Sequence, residues 1–408
     1  MKQKIRCPEY FADFTCIGSD CEDSCCNQWQ IYLDRATFEN YTRIKDPELR
    51  RRIDEFVEPN PKDQTEARFG RINLTDDRKC PFLTTECLCI LQKQLGVDSL
   101  SQTCLTYPRV FNSFAGMLEG SAEISCPEVA RRALLNPGGI RFVERELELD
   151  SRFALNNTIK LEEPGDYPLA QYYQPLQDFS ISLMQDRRLS LPDRLTVLGM
   201  FSSKMQSAID EGNPIGTPAI IAEFDELRCF DGIAGNLSQI PVNTTRQLQL
   251  LKSIVDEKLR RGTGIATFRD CHEQMLAGIG FDRDDQALVR FTAGYHNIYF
   301  PFMAKKEYLL ENYCVNYLFR TQFPLFDKDW SQIFKAFVHL TLNYALIKFY
   351  LIGIGLDLGE LNDEAIVKLV YSFGKAIEHD SGFINAILKQ LEQKNLLTMA
   401  QMAILIRN

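Results

Sequence analysis

The chain carries the run Cys16-Ile17-Gly18-Ser19-Asp20-Cys21-Glu22-Asp23-Ser24-Cys25-Cys26 near its N-terminus, with four cysteines in eleven residues. Nine of its 13 cysteines lie between Cys16 and Cys126. Isolated buried cysteine behaves as a small hydrophobe, but the polar and acidic residues within this run exclude ordinary core packing. Thiols at this density indicate a metal or iron–sulfur centre, so the sequence predicts an N-terminal metal-binding domain.

Length and composition indicate a globular protein of two domains. The chain has 408 residues, of which 45% are hydrophobic and 25% charged, and one ordinary core rarely serves so long a chain. Cysteines become sparse after the turn-forming cluster Asn136-Pro137-Gly138-Gly139, and a second such cluster is Glu163-Pro164-Gly165-Asp166. We therefore predict a cysteine-rich metal or iron–sulfur domain at 1–135, a connecting segment with possible short strands at 136–165, and a helical domain at 166–408.

Charge and hydropathy exclude several classes of partner. The formal net charge of −9 argues against nucleic acid, which needs a concentrated basic surface. An acidic surface is compatible with a lysine-bearing protein substrate or a cationic small molecule. No apolar segment follows the basic residues at the N-terminus, so no secretory leader is expected. The apolar stretch from Ile333 to Gly355 is interrupted by Lys335 and Lys348, which indicates a buried helix and no membrane span. These features predict a cytoplasmic protein.

The periodicity of apolar residues is mainly helical. Steps of three and four residues recur after residue 165 in the segments 169–186, 190–210, 244–259, 304–320, 330–352, 362–377 and 383–406. In the N-terminal part we predict helices from Asp34, from Cys89 to Leu95 and at Ser125-Cys126-Pro127-Glu128, with a hairpin between Phe111 and Ile124. The predicted fold is mainly α, with a small cysteine-rich α+β domain followed by a larger all-helical domain.

The cysteines allow more than one metal site. The first run offers four thiols, and later segments add Cys80, Cys87, Cys89, Cys104 and Cys126. One iron–sulfur cluster with additional structural thiols and two four-cysteine zinc sites both fit these numbers. The isolated Cys229, Cys271 and Cys314 are expected to be packing residues.

The order of these motifs resembles that of the flagellin lysine N-methylases. The motifs are Cys16-x4-Cys21-x3-Cys25-Cys26-x2-Trp29, Cys80-Pro81-Phe82-Leu83 with Leu88-Cys89, Cys104-x2-Tyr107-Pro108-Arg109, Ser125-Cys126-Pro127-Glu128, Glu311-Asn312-Tyr313, and Ser372-Phe373 through Glu378-His379. The cysteine-rich part is also similar to a wider group of zinc- or iron-chelating proteins. The resemblance covers most of the chain.

The resemblance implies methyl transfer from S-adenosylmethionine to lysine ε-amines of flagellin, with a [4Fe–4S] cluster held by cysteines; zinc is the alternative metal. The matching positions are Cys16, Cys21, Cys25, Cys26, Cys80, Cys89, Cys104 and Cys126. Cys87 has no counterpart in the motif. The spacing C-x3-C-x2-C of radical enzymes that use this methyl donor is not present, because Cys26 follows Cys25 directly.

Methyl transfer to lysine needs a neutral amine, so a base beside the acceptor is expected. Tyr107 is the best candidate for this catalytic role, but a packed turn at Tyr107-Pro108 is the simpler explanation of the residue. The glycine sets at 262–264, 278–280 and 353–359 are expected at helix ends or turns, since none follows a strand in a βαβ pattern. A doubly wound nucleotide fold is therefore excluded, and the binding site of the methyl donor stays unassigned.

Two other function classes remain open from the residues themselves. The first is a non-catalytic zinc- or iron-binding adaptor, and the second is a redox or metal-handling protein with exposed thiolates. The histidines do not form a paired metal motif; His339, on an apolar helix, is expected in the core or at an interface. The aromatic cluster from Tyr295 to Tyr313 fits either a peptide groove or helix packing.

Overall fold

The computed structural model describes residues 2–27, 29–62, 64–160, 169–281, 285–326 and 329–408. The chain forms two compact units. The first, here called the N-terminal unit, comprises Met1–Val129 and Phe142–Thr158; the second, the helical unit, comprises Ala130–Arg141 and Ile159–Asn408.

The N-terminal unit contains two β-sheets. Its strands are β1 (Lys2–Pro8), β2 (Ile31–Leu33), β3 (Val57–Pro59), β4 (Gly70–Ile72), β5 (Arg109–Phe114), β6 (Met117–Ala122), β7 (Phe142–Glu148) and β8 (Leu155–Ile159). Five strands pair in the order β7-β1-β6-β5-β8, with β1 parallel to β6 and antiparallel to β7. The other three form the antiparallel order β2-β4-β3.

The predicted hairpin is confirmed as β5 and β6, which pair antiparallel from Arg109 opposite Ala122 to Phe114 opposite Met117. The turn residues Ala115 and Gly116 both have positive φ, at 47° and 82°. Two consecutive residues with positive φ match the right-handed twist of the flanking strands. Phe111 points into a core that includes Ile5 and Phe11.

The N-terminal unit also contains short helices. They are α1 (Glu9–Ala12), α2 (Arg35–Thr42), α3 (Pro47–Phe56), α4 (Ile90–Leu95), α5 (Gln102–Thr106) and the start of α6 (Pro127–Leu134). The predicted helix starts are confirmed: Asp34 accepts a 2.9 Å hydrogen bond from the Thr37 amide at the start of α2, and α4 ends at Gly96 with φ of 83°. A second core surrounds Ile31, Leu49 and Phe82.

The helical unit is built from α7 to α19. Their bounds are α7 (Tyr173–Met184), α8 (Leu191–Asp210), α9 (Thr217–Cys229), α10 (Ile233–Ser238), α11 (Thr244–Arg261), α12 (Ala266–Ile279), α13 (Ala287–Gly294), α14 (Phe300–Lys306), α15 (Tyr308–Arg320), α16 (Ile333–Leu358), α17 (Asp363–Phe373), α18 (Ser381–Gln393) and α19 (Met399–Ile406). Two π-helical turns, Tyr295–Tyr299 and Gly374–Glu378, follow α13 and α17. The prediction of a mainly α chain is confirmed.

Helix α16 is the central element of the helical unit. By length and composition it is the one described helix that could cross a membrane, yet 94% of its most apolar window is buried within the protein. This confirms the prediction of a buried helix at 333–355. Its apolar residues lie on all sides, which is the pattern of a helix enclosed by other helices.

The glycines of α16 correct one expectation. Gly353 and Gly355 lie inside the helix and not at an end or turn. A Cβ on Gly353 would lie 2.8 Å from the Cα of Met275 in α12, and a Cβ on Gly278 would lie 2.0 Å from the carbonyl oxygen of Gly353. Glycine is needed here because the two helix backbones touch. Gly262, Gly280 and Gly359 have positive φ and do end helices, as predicted.

The units divide the chain differently from the predicted boundaries. Residues 142–159 supply β7 and β8, which lie at the two edges of the five-stranded sheet, so much of the predicted connecting segment belongs to the N-terminal unit. Sequence spacing could not show this, because strand pairing joins segments far apart in the chain. The turn predicted at 163–166 lies outside the described residues.

Candidate functional site

The structure sorts the eight candidate metal ligands into two neighbourhoods of the N-terminal unit. We call the first the five-cysteine group: Cys25, Cys26, Cys80, Cys89 and Cys104. The second is the three-cysteine group: Cys16, Cys21 and Cys126. Within each group, neighbouring thiols lie close enough for one to raise the pKa of another. Cys87 and Cys7 belong to neither group. Cys87 contributes to raising the pKa of Lys79, and the pKa of Cys7 is affected by Arg145 and Asp13.

Backbone pairing holds the segments of the five-cysteine group together. The amide of Cys80 donates a 2.8 Å hydrogen bond to the carbonyl of Cys26. Leu83 and Cys89 form a β-bridge across the next turn. The Cys80 side chain is buried in the core around Ile31 and Phe82, and Cys26, Cys89 and Cys104 pack against that core. The loops that carry these thiols are therefore positioned by the small sheet beneath them.

The surroundings of the five-cysteine group favour protonated thiols. Burial raises the pKa of Cys80 and of Cys104 to about 12. The pKa of Cys26 is raised still further by its hydrogen bond with Cys25 and by burial. A positive metal centre reverses this balance, since a coordinated thiol loses its proton outright. An all-sulfur donor set of this kind suits iron–sulfur clusters and zinc.

The thiols are all unbridged, so no disulfide competes for them. Within the described residues, no three cysteine, histidine, aspartate or glutamate side chains are arranged to hold a metal ion. The fit to an iron–sulfur cluster or zinc therefore rests on the chemistry and the grouping of the donors. The choice of ligands made from the motif stays a prediction.

Tyr107 lies next to both cysteine groups. Its hydroxyl lies 3.1 Å from Ser125 Oγ, and its ring packs 5.6 Å from that of Trp29. Burial, then the nearby Cys126, holds the pKa of Tyr107 well above its usual range. The environment thus favours the neutral phenol, which can donate a hydrogen bond but is a poor base. The catalytic role of Tyr107 stays a prediction.

A second candidate site is a cavity of about 220 Å³ within the helical unit. We call it the α15–α18 cavity. Its walls come from α15, the loop that follows it, α16, the π-helical turn after α17, and α18; the lining residues are Tyr317, Thr321, Phe323, Leu325, Phe326, Ala336, His339, Glu378, Ser381, Ile384 and Asn385. Aromatic and aliphatic side chains form most of the surface.

Glu378 provides a carboxylate in the wall of this cavity. Its side chain is only 4% exposed and forms an ion pair with Arg320. Tyr313 donates a 2.6 Å hydrogen bond to its Oε1. The π-helical turn at Gly374–Glu378 widens the backbone at this point, and such turns are frequent at functional sites. Two motifs noted in the sequence, at 311–313 and 378–379, thus meet in one place.

His339 faces the same cavity. Its ring packs edge-on against Tyr317 and Phe326, with centroids 5.7 and 6.0 Å away. Among the described residues its buried Nε2 has no hydrogen-bond partner. Burial, with Arg320 nearby, lowers the pKa of His339 to about 4, so the imidazole is neutral at pH 7. A neutral imidazole with an unpartnered nitrogen can bind a ligand by hydrogen bonding.

Sequence reasoning missed this cavity. It expected His339 in the core or at an interface and named Glu378 only as part of a motif, because their partners lie in other helices. The motif at Glu311-Asn312-Tyr313 was the available signal. From the aromatic cluster, Tyr295, Tyr299 and Phe300 line a separate cavity of about 180 Å³, which Tyr344 and Arg407 also line.

The chain is similar in sequence to methyl-transferring and flagellar proteins. Residues 177–405 match the family described as FliB lysine N-methylase C-terminal domain. Proteins named Lysine-N-methylase from Salmonella choleraesuis and Salmonella typhimurium are 25% identical over 382 residues, which is 92% of both chains. The flagellar biosynthetic protein FliU of Salmonella muenchen is 33% identical over 140 residues, covering 34% of this chain and 82% of that protein.

No solved structure matches the chain. The family match spans more than half of the chain, including all the residues of the α15–α18 cavity. The cysteine motifs lie N-terminal to the matched residues, so the family match and the motif resemblance concern different parts of the chain. The chain therefore belongs to the FliB lysine N-methylase family.

Proposed function

We propose that the protein is a cytoplasmic methyltransferase that transfers a methyl group from S-adenosylmethionine to lysine side chains of flagellin. The observation that carries this proposal is the similarity over 92% of the chain to proteins named Lysine-N-methylase. The flagellar name of the FliU relative supports flagellin as the substrate. The net charge of −9 suits a protein substrate that presents lysines.

The methyl donor supplies an electrophilic methyl group on a sulfonium. The protein must supply an acceptor amine without its proton, because only the neutral amine has a lone pair for the attack. Burial in an apolar site, or a neighbouring cation, lowers the pKa of a lysine amine. The α15–α18 cavity has mostly apolar walls, so it has the first of these properties.

We further propose that the five-cysteine group holds a [4Fe–4S] cluster, with its four ligands drawn from Cys25, Cys26, Cys80, Cys89 and Cys104. The support is the motif resemblance and the all-sulfur neighbourhood. When bound, such a cluster supplies a redox-active iron centre. A second candidate function is a structural metal, because Cys80 packs into the core of this small unit. That candidate predicts stoichiometric zinc in a colourless protein.

The experiment is anaerobic incubation of purified protein with methyl-labelled S-adenosylmethionine and flagellin, followed by mass spectrometry of the lysines. Added methyl groups on flagellin lysines are expected. Unmodified lysines in a sample with full iron content would contradict the enzymatic proposal. Metal analysis of the same sample separates about four iron atoms per chain from a single zinc.

A further inference from the structure

We propose that the α15–α18 cavity receives the side chain of the acceptor lysine and holds its amine between His339 and Glu378. The inference rests on the proposed methyltransferase function and names the place where its substrate binds. Three observations on the cavity carry it: its size, the composition of its walls, and the polar residues among those that line it.

The size of the cavity suits one extended side chain. Sites that enclose cofactor-sized ligands measure roughly 300 to 1,000 Å³. At about 220 Å³, the α15–α18 cavity is too small to enclose S-adenosylmethionine but has room for a butylamine chain. Ser381 and Asn385 line it and lie on the outer surface of α18, so the cavity opens to solvent there. A lysine of another protein can enter by that opening.

The walls suit an alkyl chain that ends in an amine. Phe323 is 1% exposed and Tyr317 is 5% exposed, and with Phe326 and His339 they present aromatic rings. Aromatic faces attract both methylene groups and cationic or partly charged amines. Methylated lysine is bound in this way in aromatic cages, so the same walls suit substrate and product.

The polar groups favour the neutral form of the amine. Glu378 is already neutralised by Arg320, so the cavity offers no net negative charge to an ammonium. Burial among apolar side chains therefore disfavours the charged ammonium. His339 and Glu378 both line the cavity, and the Glu378 carboxylate already accepts hydrogen bonds from Tyr313 and Arg320. The buried Nε2 of His339 has no hydrogen-bond partner among the described residues, and in one tautomer of the neutral ring it is an acceptor for the amine.

Atoms and electrons balance in a methyl transfer to a lysine held in this cavity. The lysine ammonium gives one proton to solvent as it enters. Its nitrogen lone pair then forms the bond to the sulfonium methyl carbon, and the bond from that carbon to sulfur breaks with its electron pair passing to sulfur. The methylated ammonium returns a second proton to solvent if another methyl is to be added. His339 and Glu378 act here by positioning the nitrogen.

The test closes the opening of the cavity with a bulky side chain. Asn385→Trp and Ser381→Phe place aromatic rings at the opening from positions on the surface of α18, which should leave folding intact. Lys389→Trp is the control, because Lys389 is exposed on the same helix but does not line the cavity. Binding of n-butylamine is measured by saturation-transfer NMR, and methylation of flagellin by steady-state kinetics, with the full chain in each case.

The wild-type protein and Lys389→Trp are expected to bind n-butylamine. The two variants at the opening should lose that binding and should lower kcat/KM for flagellin at least tenfold. No butylamine signal in the wild type, or equal signals in all four proteins, would overturn the inference. Butylamine binding that is lost only in the variants at the opening, without methylation of flagellin by any protein, would support the amine cavity while removing the proposed function.

Discussion

The hydroxyl of Tyr313 donates a 2.6 Å hydrogen bond to Oε1 of Glu378, across 65 positions of the chain. Tyr313 lies on the buried side of α15, and Glu378 ends the π-helical turn that follows α17. The bond fixes the carboxylate in the wall of the α15–α18 cavity, where Arg320 balances its charge. Residues from separate helices thus form one polar centre.

Removing this hydroxyl should cost both stability and activity. Tyr313→Phe leaves the buried Glu378 with one partner fewer, and hydrogen bonds to charged groups contribute about 1.5 to 3 kcal/mol. We expect the free energy of unfolding in urea to fall by about 2 kcal/mol and kcat/KM for flagellin to fall several-fold. Tyr308→Phe, at a half-buried position of α15, is the control and should change stability by less than about 0.5 kcal/mol. Equal losses in both variants would contradict a special role for the Tyr313 bond.

The ion pairs of Arg194 should be far more important for stability than those of Arg187. Arg194 is fully buried and contacts Glu311 at 2.7 Å, while Arg187 binds the same carboxylate at 2.8 Å and is 47% exposed. Arg194→Met removes the fully buried ionic partner of Glu311 and leaves it with the half-exposed Arg187, and breaking a buried ion pair costs about 3 to 5 kcal/mol. Arg187→Met should cost about 1 kcal/mol or less, because solvent screens the exposed pair. Thermal and urea unfolding of the two variants provide the comparison; similar losses would refute it.

The close contact between α12 and α16 should not tolerate an added methyl group. Gly353→Ala places a Cβ 2.8 Å from the backbone of Met275, so the helices must separate. Overpacking of this kind costs about 1 to 3 kcal/mol. Gly235→Ala is the control: Gly235 is exposed in α10, and a Cβ added there would meet no other atom within 4 Å. That change should stabilise the protein by about 0.4 to 1 kcal/mol, since alanine restricts the unfolded chain.

Buried His272 should make the protein less stable in mild acid. Burial lowers the pKa of His272 to about 4, and its Nδ1 lies 2.8 Å from the hydroxyl of Tyr350. Between pH 6.5 and 4 the unfolded chain binds a proton at this residue that the native state does not bind. Native stability therefore falls as the pH falls through this window, by up to about 3 kcal/mol in total.

Urea unfolding at about pH 4.5 and about pH 7, near the two ends of this window, measures the loss. His272→Gln keeps a polar group for Tyr350 and should show a smaller difference in stability between the two pH values. His296→Asn, at an exposed position, should keep the wild-type difference. An unchanged difference in His272→Gln would show that this histidine does not cause the acid sensitivity.

Iron content should depend on the five-cysteine group. Cys25→Ala and Cys104→Ala are expected to lose iron and to destabilise the N-terminal unit, because the free energy of metal binding also stabilises the fold. Cys87→Ala and Cys314→Ala should keep the wild-type iron content. Iron and sulfide are measured on protein purified without oxygen. Full iron content in both Cys25→Ala and Cys104→Ala would show that the ligands lie elsewhere.

The local structure was largely predictable from the sequence. Asp34 marks the start of α2, Gly96 the end of α4, and the apolar stretch at 333–355 a buried helix, because caps and periodicity act over a few residues. Local pattern did not show that the apolar segment at 383–406 is two helices; Asn395, with φ of 52°, lies between them. The cysteine motifs also indicated the family from the sequence alone.

The sequence by itself determined where most helices of the helical unit and the β5–β6 hairpin lie, that the helix at 333–355 is buried, and which cysteines form the motif. Tertiary structure decided which distant residues meet: Tyr313 with Glu378, Gly278 with Gly353, and Cys26 with Cys80. The reason is physical. Helix and turn preferences depend on neighbours in the chain, whereas a cavity or a group of thiols depends on how whole elements pack. The α15–α18 cavity is therefore visible only in the folded protein.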